Sequence, residues 1–195
     1  MACNSFGLQA LRQHLRNQAL TRRNKIRTLK KNRLSARIRK NLLPLLLGKP
    51  TMAYFPLAQE PDLLACLTPP FYLPRIISRG IMEARQFIPQ KLTKNRFGIL
   101  EPDLSCPTIK PQNLKIILVP ALLVDSFGNR LGFGNGYYDR FLKTCPHALK
   151  IACVYDWQIT HKLPSLEHDI AVDIIITEKR TVLAPDPLLS SKLPD

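Results

Sequence analysis

Apolar residues recur at helical spacing through the first fifty positions: Leu8, Leu11, Leu15, then Ile26, Leu29, Leu34, Ile38 and Leu42. Residues three and four apart share one helix face, so the spacing predicts helices over 8–20 and 22–47, with Thr21 as the N-cap between them. Gly48-Lys49-Pro50 stops the second helix. Beyond residue 50 the pattern shortens. Met52–Phe55, Lys115–Pro120, Leu122–Asp125, Ile151–Tyr155 and Ile174–Ile176 are brief, near-continuous apolar runs, the mark of strands covered on both faces. Phe71–Ile77 reads as a strand whose Pro74 puts it at a strand end or an edge. Glu60–Leu67 and Tyr137–Lys143 read as short helices. The stretch 78–111 is less regular: Ile81–Ile88 carries a strand pattern, Phe97–Pro102 a structured loop, and Pro102, Pro107 and Pro111 an extended passage. Strands alternating with helices predict an α/β fold: a three-layer, open, mostly parallel sheet flanked by helices, preceded by an N-terminal helical segment. One domain is expected over 1–195, with a basic helical segment at 1–50 and a loose Pro- and Ser-containing tail over 183–195.

Charge sharpens the picture of that first segment. Of 29 Lys and Arg residues, 13 precede residue 50, and the first acidic residue is Glu60. From residue 50 onward 16 basic residues face 14 acidic ones, so the formal +15 is almost wholly N-terminal. Three readings fit: a solvated helix face, a surface for nucleic acid or another polyanion, or an Arg-rich organellar presequence. The helical apolar spacing favours helices packed on a body over a free tail. No apolar run is long enough to span a bilayer, and no secretory signal is apparent. The five cysteines are scattered, with no C-x-x-C pair. A zinc site or disulfide framework is therefore not expected, and a reducing cytoplasm is.

The densest chemistry lies in Arg130-Leu-Gly-Phe-Gly-Asn-Gly-Tyr-Tyr-Asp139. Glycines at 132, 134 and 136 let a backbone turn its N–H groups toward one point and lie close to a phosphate or flat ring. Arg130 supplies a guanidinium fork for phosphate oxygens, and Asp139 an oxygen ligand for Mg²⁺. The spacing is neither the dinucleotide nor the P-loop pattern. Taken alone, the glycines fit a tight strand-to-helix connection equally well. Arg130 and Asp139 at the two ends tip the reading toward a nucleotide site. The loop follows the strong strand at 115–119, as does Asp125, and ligands of α/β sheets collect beyond the carboxyl ends of strands. If Tyr137 opens a helix, the loop also faces its positive dipole end.

The run Ile117-Leu-Val-Pro-Ala121, Asp125, Gly128-Asn-Arg-Leu-Gly132 and Gly134-Asn-Gly-Tyr-Tyr-Asp-Arg140 closely resembles the signature of the 5-formyltetrahydrofolate cyclo-ligases, also called 5,10-methenyltetrahydrofolate synthetases. Weaker pieces follow in family order: Tyr54-Phe-Pro with Glu60-Pro-Asp62, Leu73-Pro-Arg75, Phe97–Pro102, Leu163-Pro164, Glu167-His-Asp169, Asp173 and Ile176-Thr177. The resemblance spans roughly 8–180. It implies ATP- and Mg²⁺-dependent cyclisation of 5-formyltetrahydrofolate, through phosphorylation of the formyl oxygen. It implies Arg130 and Tyr137 as catalytic residues. Arg12, Arg16, Arg130, Leu131, Gly132, Phe133, Gly134, Asn135, Gly136, Tyr137 and Tyr138 would hold ATP. Phe55, Glu60, Phe97, Phe133, Gly134, Asn135, Gly136 and Tyr137 would meet the folate, and Asp139 and Asp169 would hold Mg²⁺, directly or through water. A monomer that binds no membrane is expected.

Two positions depart from the family pattern. Its N-terminal helix carries a Lys-x-x-Leu-Arg motif; here Arg12-Gln-His-Leu-Arg16 replaces the lysine, which keeps two cations on one face at i and i+4. Leu8-Gln-Ala-Leu-Arg12 is the other register and lacks the leading base. Asn135 stands where relatives carry a base or a glycine. The rival function is a fold relative that has lost catalysis and binds nucleic acid through its basic segment. That role would not require Arg130, the glycines, Asp139 and Asp169 to stay together.

Overall fold

A computed structural model describes the backbone of residues 3–185 and the side chains from residue 7 onward. Two helices open the chain, α1 (Cys3–Asn24) and α2 (Thr28–Leu46). The strands that follow are β1 (Thr51–Met52), β2 (Tyr72–Ser78), β3 (Ile81–Gln86), β4 (Leu92–Lys94), β5 (Leu100–Pro102), β6 (Thr108–Ile109), β7 (Ile116–Leu118), β8 (Leu123–Asp125) and β9 (Arg130–Leu131). Then come α3 (Tyr137–Leu142), β10 (Leu149–Cys153), β11 (Ile159–Thr160), β12 (Ile174–Ile176) and β13 (Thr181–Leu183).

The main sheet has eight strands in the order β13-β12-β10-β7-β1-β2-β3-β6. Its central strands β12, β10, β7, β1 and β2 run parallel, and β13, β3 and β6 join antiparallel at the rims. Alternation along the central strands explains their unbroken apolar sequences. Ile116, Leu118, Ile151, Ile174 and Ile176 face one core with Leu34, Ile38, Leu42 and Leu46 of α2. Ile117, Val119, Ala152 and Ile175 face the other with Phe141 and Leu142 of α3. Both faces are covered, so each strand needs apolar residues at every position. This is the expected three-layer α/β arrangement. Among the described residues no helix is long and apolar enough to cross a membrane.

Several local expectations change. Thr21 is not a cap: α1 runs through it, and the break falls at 25–27. Lys25 N and Ile26 N bond back to the Arg22 and Arg23 carbonyls, tightening the end of the helix, and Ile26 turns into the core. Leu11 and Leu29 fit the helical spacing but are exposed, Leu29 at 86%. The run Met52–Phe55 is a strand only at its start, and Glu60–Leu67 forms just a 3₁₀ turn at Leu64–Cys66. Pro74 lies inside an interior strand. The sheet tolerates it because β1 pairs with β2 only at Tyr72, so no neighbour on that side needs the missing N–H. The start of the expected loose tail is ordered: Leu183 ends β13, and Ala184 N donates to Asp173 O at 2.9 Å. Residues 186–195 lie outside the described residues. The thiols of Cys66, Cys106, Cys145 and Cys153 are free, and burial pushes Cys66 up to about 11. The side chain of Cys3 lies outside the described residues.

Candidate active site

Parallel strands β1, β7 and β10 end side by side, and the segments that leave their carboxyl ends build the floor of the site. Tyr155, after β10, donates to Gln59 O after β1 at 3.2 Å. Gln158 Nε2 donates to the carbonyls of Ala121 and Leu122 after β7, fixing the third segment. Asp125 belongs to this framework rather than to a ligand site. It is fully buried and accepts from Phe127 N, Asn129 N, Asn129 Nδ2 and Leu163 N. All its oxygen capacity goes into the turn that delivers the glycine loop.

The loop connects β9 to α3. Gly134 has φ +97° and Gly136 φ +65°, a region that favours glycine. Backbone N–H groups from Phe133 to Gly136 donate to no protein acceptor among the described residues. Arg130 precedes the loop, buried, with Nη2 2.6 Å from Asp139 Oδ1. That oxygen also accepts from Ile170 N at 3.2 Å, and Asp139 Oδ2 takes no partner among the described residues. Helix α3 has only six residues, so its dipole adds little.

Helix α1 lies across this loop on a stripe of cations. Arg16 Nε donates to Gly132 O at 2.9 Å, and its guanidinium packs on Gly134, where an added Cβ would sit 3.2 Å from Cζ. Arg12 forks onto Asp169 with both terminal nitrogens and also donates to Pro164 O at 2.7 Å. Arg23 meets Glu60 at 2.9 Å with both side chains 4% exposed. The other Glu60 oxygen accepts from Leu57 N. The Arg23 guanidinium also lies 5.5 Å from the Phe133 ring centre.

Electrostatics follow from this packing. Burial raises the Asp169 carboxyl, but the Arg12 hydrogen bond and charge and the Leu166 N–H outweigh it and leave the group below its ordinary range. Burial, then the charge of Arg12, lowers Arg16, against the pull of Asp169. Burial and the neighbouring Glu60 carboxylate push the Tyr54 and Tyr138 phenols far above their usual value, so both stay neutral donors.

The structure thus gathers Arg12, Arg16, Arg130, Gly132–Gly136, Tyr137, Tyr138, Asp139 and Asp169 on one side, with Glu60 and Phe133 reached through Arg23. Other candidates land elsewhere. Leu131 is fully buried and pairs with Leu123 in the small sheet β11-β8-β9, so its side chain packs the core. Phe55 is half-buried against the α2-side core. Phe97 is exposed beneath the Arg96 guanidinium at 4.8 Å, and Arg96 Nη2 donates to Tyr137 Oη at 2.8 Å. Both Asp169 oxygens are engaged by Arg12 and Leu166 N, so Asp169 orients Arg12 rather than offering a free oxygen to a metal. Among the described residues no group of three or more His, Cys, Asp or Glu is placed to hold a metal ion.

Arg23, Gln59 and Arg96 were missed by sequence reasoning. For Arg23 a signal existed: the helix face of Arg12 and Arg16 continues, in steps of three and four, through Ala19 to Arg23. Four buried polar atoms in this region lack a protein partner among the described residues: Arg23 Nε, Gln59 Oε1, Arg130 Nε and Tyr138 Oη. Buried polar groups in native proteins are nearly always satisfied, so such a cluster marks a place where a polar ligand fits.

Comparison with known proteins points to one family. A family model described as the 5-formyltetrahydrofolate cyclo-ligase family matches residues 9–178. The chain is 34% identical over 152 residues to a 5-formyltetrahydrofolate cyclo-ligase of Mycolicibacterium smegmatis, covering 70% of this chain and 77% of the relative. It is 29% identical to the Mycoplasma genitalium cyclo-ligase, covering 83% and 94% of the two chains. The solved 5,10-methenyltetrahydrofolate synthetase of Aquifex aeolicus superposes with a TM-score of 0.80 at 31% identity, over 90% of this chain and 94% of that one. Matched by the family model over most of its length and by these relatives, the chain belongs to the 5-formyltetrahydrofolate cyclo-ligase family.

Proposed function

We propose that this site cyclises 5-formyltetrahydrofolate to 5,10-methenyltetrahydrofolate at the expense of ATP. The observation that carries the reading is the meeting of Arg16 and Arg130 at a loop whose 133–136 N–H groups have no protein acceptor among the described residues, with Arg12 one helical turn away on Asp169. Fixed cations and unspent N–H donors stabilise a transferring phosphoryl group without reorganising. The formyl oxygen attacks the γ-phosphorus, and the bond to the β-bridging oxygen breaks to release ADP with its electron pair. The N10 lone pair then attacks the activated carbon, N10 loses its proton, and phosphate departs to leave the methenyl bridge.

Each residue has a task in that sequence. Arg130 and Arg16 hold phosphate oxygens, and Arg12 holds its place through Asp169. Glu60, with Tyr54 and Tyr138 nearby, offers a carboxylate and neutral phenols to the polar edge of the pterin. Phe133 and Tyr137 frame the reacting centre. Asp139 Oδ2 is the oxygen that fits Mg²⁺, which needs only one or two carboxylates when phosphates and waters complete its shell. Bound there, Mg²⁺ would neutralise phosphate charge. Asp169 serves it only through water or not at all.

The test mixes purified protein, MgATP and 5-formyltetrahydrofolate and follows methenyltetrahydrofolate absorbance with ADP. Equal amounts of both are expected; folded protein that yields neither overturns the proposal. Asp139→Asn is expected to abolish turnover, and unchanged turnover rejects the metal role.

A further inference from the structure

Arg140 closes the glycine motif, yet the reaction above gives it no task. Its side chain is exposed but reaches two separate pieces of backbone. Nε donates to Gly80 O at 2.8 Å, in the turn joining β2 to β3, and Nη2 donates to Asn135 O at 2.6 Å, inside the loop. Its guanidinium also lies 5.7 Å from the Tyr137 ring centre. The guanidinium packs closely on both glycines, each of which has a positive φ, +82° at Gly80 and +65° at Gly136. A Cβ at Gly80 would fall 2.8 Å from Arg140 Nε, and one at Gly136 would fall 2.9 Å from Nη1.

A loop with glycines at alternate positions has a large conformational entropy to lose. This one does not restrain itself, because its 133–136 N–H groups make no protein hydrogen bond among the described residues. Its restraints come from outside: Arg16 holds Gly132 O at the start, and Arg140 holds Asn135 O near the end. A guanidinium can span two carbonyls because its donors form a rigid planar fork. We propose that Arg140 is a positioning residue that pins the glycine loop to the β2–β3 turn and presents the 133–136 N–H groups ready for a phosphate. Ordering the loop beforehand removes that entropy cost from nucleotide binding. The nature of the ligand rests on the function proposed above; the restraint on the loop does not.

Two measurements test this on the full chain. The first uses ¹⁵N-glycine labelling, since the chain has eight glycines. In Arg140→Ala the Gly80 and Gly136 signals move through proximity alone. Gly134 packs against Arg16, whose guanidinium supplies the three atoms nearest its Cβ position. If Arg140 holds the loop, Gly132 and Gly134 also shift or broaden; if both stay in place, the inference is overturned. The second is kinetic. Arg140→Ala is expected to raise the KM for ATP about tenfold, with little change in kcat or in the KM for the folate, the signature of lost ground-state positioning. Arg140→Lys, which can reach only one carbonyl, recovers part of the loss. A wild-type KM for ATP in Arg140→Ala overturns the inference. If the unaltered protein neither binds nor hydrolyses ATP, the proposed reaction fails, and the glycine signals still decide the role of Arg140.

Discussion

Helices α1 and α2 look alike in sequence: both are basic, neither contains an acid, and both carry leucines at helical spacing. The fold uses them in opposite ways. Helix α2 buries Leu34, Ile38, Leu42 and Leu46 in the core and leaves Lys30, Arg33, Arg37 and Lys40 in solvent. In α1 the buried described side chains are Arg12, Ala19 and Arg23, and the contacts that hold it are largely ionic. Apolar burial is indifferent to what occupies the site. Ion pairs to Asp169 and Glu60 are not, because those carboxylates lie beside the proposed ligands. Apolar burial thus anchors α2, whereas α1 is held by buried ion pairs that adjoin the proposed site.

The contrast can be broken most severely at two α1 cations, Arg12 on Asp169 and Arg16 on the loop. Replacing Arg12 and Arg16 together by Ala is expected to lower kcat/KM about 10³-fold in the absorbance assay, by analogy with loss of fixed charge-stabilising donors. An effect under tenfold would place α1 outside the chemistry. Next, Glu60→Ala strands the Arg23 guanidinium, and removing one partner of a buried pair typically costs about 3–5 kcal/mol. Urea unfolding measures that loss, and Glu60→Ala with Arg23→Met is expected to recover most of it. Ile38→Ala, on the α2 side, is expected to cost about 2–5 kcal/mol in the same measurement, with kcat/KM of the folded fraction unchanged. A drop in both for Ile38→Ala would erase the distinction between the helices.

Smaller effects separate them further. Folding lowers the Asp169 carboxyl below its ordinary value of 3.8, with the Arg12 pair and the Leu166 N–H prevailing over burial. A carboxyl lowered on folding contributes stability that is fully present above its unfolded value. That contribution is lost as pH falls through the folded one. Acid below pH 3.8 should therefore loosen α1 before α2. The single tryptophan reports it, because the Arg22 guanidinium of α1 lies 4.5 Å from the Trp157 ring centre. Trp157 emission is expected to change ahead of far-UV circular dichroism, and Asp169→Asn to remove the early step. The smallest expected effect is a shift of the same emission at high salt, since pairs this buried are poorly screened.

Much of the frame was legible because it repeats. Strands near 116–118, 151–153 and 174–176 needed apolar residues on both faces, and that demand is local. The glycine loop was legible because Arg130 and Asp139 lie within ten residues of each other. Thr21, by contrast, had the chemistry of a cap and sits mid-helix, because the chain turns where Ile26 can be buried. Pro74 signalled an edge and sits in an interior strand, because its neighbour β1 is two residues long. Asp125 had the type and place of a ligand and instead organises a turn. In each case the deciding partner lies elsewhere in the chain, where periodicity does not reach.

The sequence by itself determined an α/β frame, a glycine loop flanked by Arg130 and Asp139, and a basic segment with 13 of the 29 cations. Only the tertiary structure decided which of those cations enter the site. A guanidinium leaves water at high cost unless a carboxylate or carbonyl receives it. Residues before Glu60 contain no carboxylate, so Arg12 and Arg23 could be buried only where folding brought Asp169 and Glu60 to meet them.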